Sequence, residues 1–206
     1  AMTSGAQDGG AGTKATSRAR TLDAARTLFA ERGFVACRVA DIARAAGMSA
    51  GNVYWLFDSK EAILREILAE GFGNVEATTA EVADAYGPAR RKLELLVDRT
   101  LALYDDNLAF MVIAASLAGE GGRELARSLG FDIAAIAGRS QANLRRVFAE
   151  ARTEDAVTLA DPELLGALYL GFFNGLATTY RDLWPTLPRD VLRDAALRLV
   201  GYRPAG

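Results

Sequence analysis

From Thr16 onward, apolar side chains return every three or four positions, and no stretch alternates apolar and polar over the length of a strand. This period restricts the chain to amphipathic helices, each of which needs another helix to cover its apolar stripe. The expected fold is all-α, with about nine helices. Leu22, Ala25, Leu28 and Phe29 share a face of the first helix, which ends at Gly33. Val39, Ile42, Ala43 and Ala46 define a short second helix stopped by Gly47, and a third runs roughly from Ser49 to Leu56. Asp58-Ser59-Lys60-Glu61 is a capping signal for a fourth, carrying Ile63, Leu64, Ile67 and Leu68 into the 70s. Tyr86-Gly87-Pro88 breaks the chain, and a stripe from Leu93 to Tyr104 follows. Asp105-Asp106-Asn107 is then expected to cap a new helix from Leu108 to Leu117, with residues 119–122 as a loop. One long helix is expected from Glu124 to Arg152. Asp161-Pro162-Glu163 opens a helix expected to reach Trp184, where Pro185 stops it. Pro188 opens the last helix, with Val191, Leu192, Ala195 and Leu199.

Composition narrows the chemistry. The 206 residues are 50% hydrophobic, enough for a real core, with no histidine and one cysteine. Ser-His-Asp and Cys-His catalysis, an internal disulfide and a His/Cys zinc site are therefore excluded. Carboxylate chemistry stays formally open, but the acids fall mostly on polar helix faces. No enzyme activity, cofactor or metal is expected. Residues 1–15 are small and polar and read as a disordered tail; no apolar segment follows that resembles a secretory signal, and no run of about 18 apolar residues suggests a membrane span. The expected location is the cytoplasm.

Charge divides the chain. Residues 1–60 hold eight Lys and Arg against five acids, a balance of +3, and the remainder stands at −5. A basic module on an acidic body fits a polyanion-binding head, although a split of this size is also what ordinary surface variation produces. Three short helices within residues 20–64, with Gly47 in the turn before the third, form a helix-turn-helix pattern whose last helix enters the DNA major groove. Met48 plugs the space between the helices, and Ser49 caps the recognition helix near the phosphates. Ala50 and Gly51 allow close approach. Asn52 offers an amide to an adenine edge, Tyr54 a hydroxyl to phosphate, and Trp55 a flat surface to a sugar or thymine methyl. Lys60 sits where an ammonium and helix N–H groups clamp a phosphate together. Phe57 reads as core.

Residues 20–64, with AARTLFAERGF, VADIARAAGMS, GNVYWLF and DSKEAIL in order, resemble the DNA-binding domain of TetR/AcrR-family transcriptional regulators. The resemblance implies a DNA-binding domain over 16–64 and a helical ligand-binding and dimerisation domain over 65–206. It places Ala50, Gly51, Asn52 and Tyr54 toward the groove, and Ser49, Tyr54, Trp55 and Lys60 on the backbone. Two positions depart from the family's pattern. Arg38 replaces a common Ser or Thr, losing a capping box but keeping a guanidinium for phosphate, and Leu56 replaces a common His.

For the body, the resemblance implies a four-helix homodimer interface built from the last two long helices. Ala167, Gly171, Gly175 and Thr179 fall at steps of four on one ridge, flanked by Leu164, Leu168, Phe172, Leu176, Leu192, Ala195 and Leu199. Close packing inside one subunit is the alternative use of that ridge. The effector pocket is expected from Tyr104, Phe110, Met111, Ile113, Ala114, Phe131, Phe148, Tyr169 and Phe173, with Asn143 and Asn174 as polar handles. Such walls suit a small hydrophobic ligand. The expected partners are thus a double-stranded, palindromic DNA operator, an effector and a second copy of the chain, without a membrane. The fourth helix, roughly residues 60–80, is the expected lever of a repressor released by its ligand. A helical adaptor of the same fold that binds protein rather than DNA is the competing reading.

Overall fold

The computed structural model describes residues 8–158 and 161–204. The described residues contain nine α-helices and one 3-10 helix. They are α1 (Asp8–Arg32), α2 (Val39–Ala45), α3 (Ala50–Leu56), α4 (Lys60–Asp84), α5 (Ala89–Ala118), α6 (Glu120–Ser128), α7 (Ile133–Thr153), α8 (Pro162–Thr179), the 3-10 helix Arg181–Thr186, and α9 (Arg189–Leu199). An isolated bridge between Val157 and Tyr202 is the one β pairing among these residues. Residues 1–7 of the expected tail lie outside the described residues. The rest of that stretch differs from expectation, because α1 already begins at Asp8.

The chain divides into two compact units that meet along the sequence at Ala69 and Glu70, inside α4 and slightly beyond the expected 64/65 boundary. In the first unit, Leu22, Ala25, Leu28 and Phe29 of α1 are buried together with Ile42 and Ala43 of α2, Val53 and Leu56 of α3, Phe57, and Ile63, Leu64, Ile67 and Leu68 of α4. Each fully buried Leu or Ile contributes about 1.5–3 kcal/mol by leaving water. Gly33 and Gly47 both take positive φ, +78° and +65°, which lets α1 and α2 end in sharp turns. Ser49 and Ser59 cap α3 and α4 by accepting the Asn52 and Ala62 N–H groups, each at 3.1 Å.

In the second unit α5 is the central helix, packed against α6, α7, α8 and α9. One stretch of it is long and apolar enough to span a bilayer by composition alone. Here one face of it, with Leu93, Leu96, Val97, Leu101, Phe110, Met111, Ile113 and Leu117, is buried in a helical bundle. Four boundaries depart from the sequence expectation. Asp105-Asp106-Asn107 does not start a new helix: α5 continues through it and kinks at Asn107 (φ −132°, ψ 29°), whose side-chain amide donates to the Leu103 carbonyl at 3.1 Å. The single helix expected over Glu124–Arg152 is two, α6 and α7, because Gly130 turns the chain at φ +78° and Asp132 caps α7 on the Ala135 N–H at 3.0 Å. The expected loop over 119–122 is mostly the first turn of α6. There Gly122 sits so close to the end of α5 that a Cβ would come within 2.2 Å of the Ser116 carbonyl oxygen. Finally, α8 stops at Thr179 instead of Trp184, and the chain passes into the 3-10 helix containing Pro185.

Candidate nucleic-acid interface and effector cavity

The α3 helix is split by the packing of its two faces. Val53 and Leu56 point into the core, while Gly51, Asn52, Tyr54 (55% exposed) and Trp55 (67% exposed) point to solvent, with Ala50 and Ser49 at the N-terminal end. Exposure of two large aromatics on one short helix is unusual for a surface that faces only water. A shallow groove beside them gathers Arg38, Tyr54, Ser59 and Lys60 near the N-termini of α2 and α4. Arg38 is the N-terminal flanking residue of α2, makes no capping bond and is exposed.

Three features of this unit correct or complete the sequence reading. Lys60, expected to clamp a phosphate, donates instead to the Phe34 and Cys37 carbonyls at 2.8 and 2.9 Å and lies 4.2 Å from the Phe34 ring centre, tying the α1–α2 loop to α4. Trp55 carries the Lys14 ammonium 4.6 Å above its ring, so a cation already sits on the face assigned to DNA. Leu56 and Phe57 are buried, and the position where the family often has His serves the core. The sequence reading also missed two arginines of α1. Arg18 forms a two-armed pair with Glu66, donates to the Leu56 carbonyl at 2.7 Å and stacks over Phe57 at 4.2 Å. Arg20 donates to the Ala46 carbonyl in the turn, and a Cβ at Gly47 would lie 2.7 Å from its guanidinium.

The second unit holds a partly open cavity of about 180 Å³ between α4, α5, α7 and α8. Tyr104, Phe110, Met111, Ala114, Tyr169, Phe173 and Asn174 line it, as expected from the sequence. Phe131, by contrast, is buried at the α6–α7 corner, away from the cavity. Asn143 stands behind the wall and donates to Thr79 Oγ1 at 3.3 Å, while Ile113 and Phe148 are buried without lining it. The lining residues that were missed include Phe72, Val75 and Thr79 of α4 and Ser140 and Leu144 of α7. The α4 contribution depends on Gly71, where a Cβ would meet the Phe110 ring at 2.2 Å; Phe72 and Phe110 pack edge to face at 5.2 Å. Tyr104 donates to Asn174 at 2.7 Å and Tyr169 to Thr100 at 2.6 Å. Burial pushes both phenols up, so they remain protonated donors.

Outside the bundle, α8 leaves Leu164, Ala167, Leu168, Gly171, Gly175 and Thr179 exposed and Phe172 and Leu176 half-buried, forming one apolar ridge. A Cβ at Gly171 or Gly175 would meet nothing within 4 Å. On α9, Ala195 and Leu199 are half-buried beside the exposed Val191. Leu192, assigned to this face, is turned into the core at 7% exposure, because α9 packs one position out of phase with the expected stripe.

Two short helices after α1, the second with one face turned outward, define a helix-turn-helix module, here followed by a helical bundle with a cavity. Residues 22–67 match the family described as bacterial regulatory proteins, tetR family. The chain is 37% identical over 109 residues to the HTH-type transcriptional repressor KstR2 of Rhodococcus jostii (strain RHA1), a match covering 48% of this chain and 53% of that protein. It spans about half the length of the curated relatives it matches. Among solved structures it is similar to the ketosteroid transcriptional regulator KstR2 of Mycobacterium tuberculosis, with TM-score 0.77 and 22% identity over 91% of this chain and 95% of that one. It is also similar to the regulator FadR from Bacillus subtilis in complex with stearoyl-CoA, with TM-score 0.68 and 23% identity over 89% and 97% of the two chains. At these identities the two structural likenesses establish the fold.

Proposed function

We propose that this chain is a ligand-responsive transcriptional repressor that binds a palindromic DNA operator as a homodimer and lets go when a small hydrophobic effector fills the cavity of the second unit. The observation that carries the reading is α3: one face locked into the core, the other offering Asn52, Tyr54 and Trp55 to a groove. The α8 ridge supplies the two-fold contact that reading paired half-sites about 34–36 Å apart requires. Helix α4 runs unbroken from Lys60 to Asp84, carrying core residues of the first unit at one end and cavity-lining residues at the other, which makes it the transmitting element. The effector acts by binding the operator-competent and released states with different affinity. Relatives named as repressors, one fold neighbour crystallised with an acyl thioester, and the apolar walls support the assignment. A regulator of this kind works in the cytoplasm, beside the chromosome, and is not an enzyme.

The test is selection from a genomic fragment pool followed by a gel-shift titration. The wild-type chain is expected to retain a discrete palindromic fragment. Tyr54→Ala is expected to weaken that complex roughly tenfold, through one lost phosphate bond per half-site, without changing helicity or the dimer. Unchanged affinity removes Tyr54 from the interface, and failure to retain any fragment favours the protein-binding adaptor.

A further inference from the structure

Among the described residues, the hydroxyl of Ser140 is the one buried side-chain polar atom without a hydrogen-bond partner. Five threonines on these helices return their hydroxyl to the carbonyl four residues back: Thr21 to Ser17, Thr27 to Asp23, Thr79 to Val75, Thr153 to Ala149 and Thr178 to Asn174. Ser140 is 5% exposed, lines the cavity from α7, and its Oγ has no hydrogen-bond partner. Leaving a buried hydroxyl unpaired costs about 1–3 kcal/mol. Of the other polar side chains on the lining, Tyr104 donates to Asn174, Tyr169 to Thr100, and Thr79 to its own helix while accepting from Asn143; Thr78 is half-buried and Gln141 exposed, where water reaches them, whereas Ser140 is buried. No Lys, Arg, Asp or Glu lines the cavity, so an ionised group entering it has no counter-charge. The volume, about 180 Å³, is near that of a cavity of about 150 Å³ that takes up benzene.

We propose that Ser140 Oγ is the anchoring hydrogen bond for an uncharged, single-ring-sized portion of the effector bearing one oxygen, a phenolic or aryl-carbonyl group rather than a free carboxylate. This rests on the reading of the cavity as the effector site. It adds three requirements: the portion inside the cavity is ring-sized, it is neutral, and its oxygen meets α7.

The test measures direct binding of three probes by calorimetry on the full-length chain without DNA: p-cresol, toluene and benzoate. The expected order is p-cresol roughly five- to tenfold tighter than toluene, with benzoate weakest. In Ser140→Ala, p-cresol is expected to fall to the affinity of toluene while toluene is unchanged. The unliganded variant is expected to melt no lower than wild type, because the hydroxyl it removes holds nothing. Equal binding of p-cresol and toluene, a preference that survives Ser140→Ala, tightest binding by benzoate, no binding of either neutral probe, or a lower melting temperature of the unliganded variant would each overturn the proposal. Operator release is read separately by gel shift. A Ser140-dependent preference without release leaves the anchor standing and removes the effector role. Release by p-cresol that is unchanged in Ser140→Ala does the reverse.

Discussion

Arg18 reaches Glu66, 48 positions along the chain, with both arms of its guanidinium, and also grips the Leu56 carbonyl and covers Phe57. It thereby joins α1, the end of α3 and the start of α4. The two side chains remain 38% and 32% exposed, so the pair is partly screened. Arg18→Ala is expected to destabilise the DNA-binding unit by about 1–2 kcal/mol, lowering its thermal midpoint by about 5 °C. Arg18→Lys, which keeps the charge but not the fork, is expected to recover only part of this. A wild-type melting curve for Arg18→Ala would show the tie to be dispensable. None of this was readable beforehand, because an arginine on a helix face gives no local sign of whether it will meet a phosphate, a carboxylate or water. Lys60 makes the same point from the other side: its place at a helix start suggested an anion, but folding brought two carbonyls to it first.

Along α5, Glu94, Asp98 and Asp105 hold Tyr202, Arg193 and Arg189 in reverse order, a polar seam that fixes the C-terminal segment antiparallel to the central helix. Asp105 is its most heavily used member, accepting from the Trp184 indole at 2.9 Å and from Arg189 at 2.6 and 3.1 Å. Asp105→Ala strands the indole N–H of a residue only 2% exposed, and is expected to cost about 1–3 kcal/mol. In a Trp55→Phe background, which silences the exposed indole, the same change is expected to shift Trp184 emission to longer wavelength. Unchanged emission would mean that the seam does not hold Trp184. The seam also explains why Asp105-Asp106-Asn107 misled the sequence reading: a local cap signal was overruled by a distant tryptophan and arginine, and only Asn107 left helical geometry. Signals answered locally were legible, as at Ser49, Ser59 and Asp161, each of which caps the helix predicted for it. The Gly130–Asp132 break was equally local but hidden, because the apolar period runs on through Leu129 and Ile133. On α9 the face toward the core depends on its partner, so Leu192 was placed on the wrong side by one position.

In the proposed dimer, the α8 ridge is the surface of close approach between two copies. Gly171 is exposed, with open space where a side chain would project, so Gly171→Arg is expected to leave the subunit fold intact. It is also expected to convert a dimer to monomer in light scattering at micromolar concentration and to abolish paired half-site binding. A variant that remains dimeric would remove α8 from the interface. The cavity residues were legible where a bulky apolar group faced inward from α5 or α8, and illegible on α4, where a glycine opposite Phe110 admits the neighbouring helix. The first unit's internal ties bear on how its grip on DNA responds to ions. Of the eight cations in residues 1–60, Arg18, Arg20 and Lys60 are tied to oxygens more than twenty positions away, whereas Arg26 and Arg44 pair with Asp23 and Asp41 one helical turn off, partners that a phosphate can replace. Counterions condensed on a duplex are released only by cations that reach phosphates, about 0.9 per phosphate neutralised. From this segment at most five per protomer remain for that work, so a dimer's operator affinity should fall with a log–log salt slope no steeper than about −9, whereas about −14 would mean that all eight had turned to the DNA.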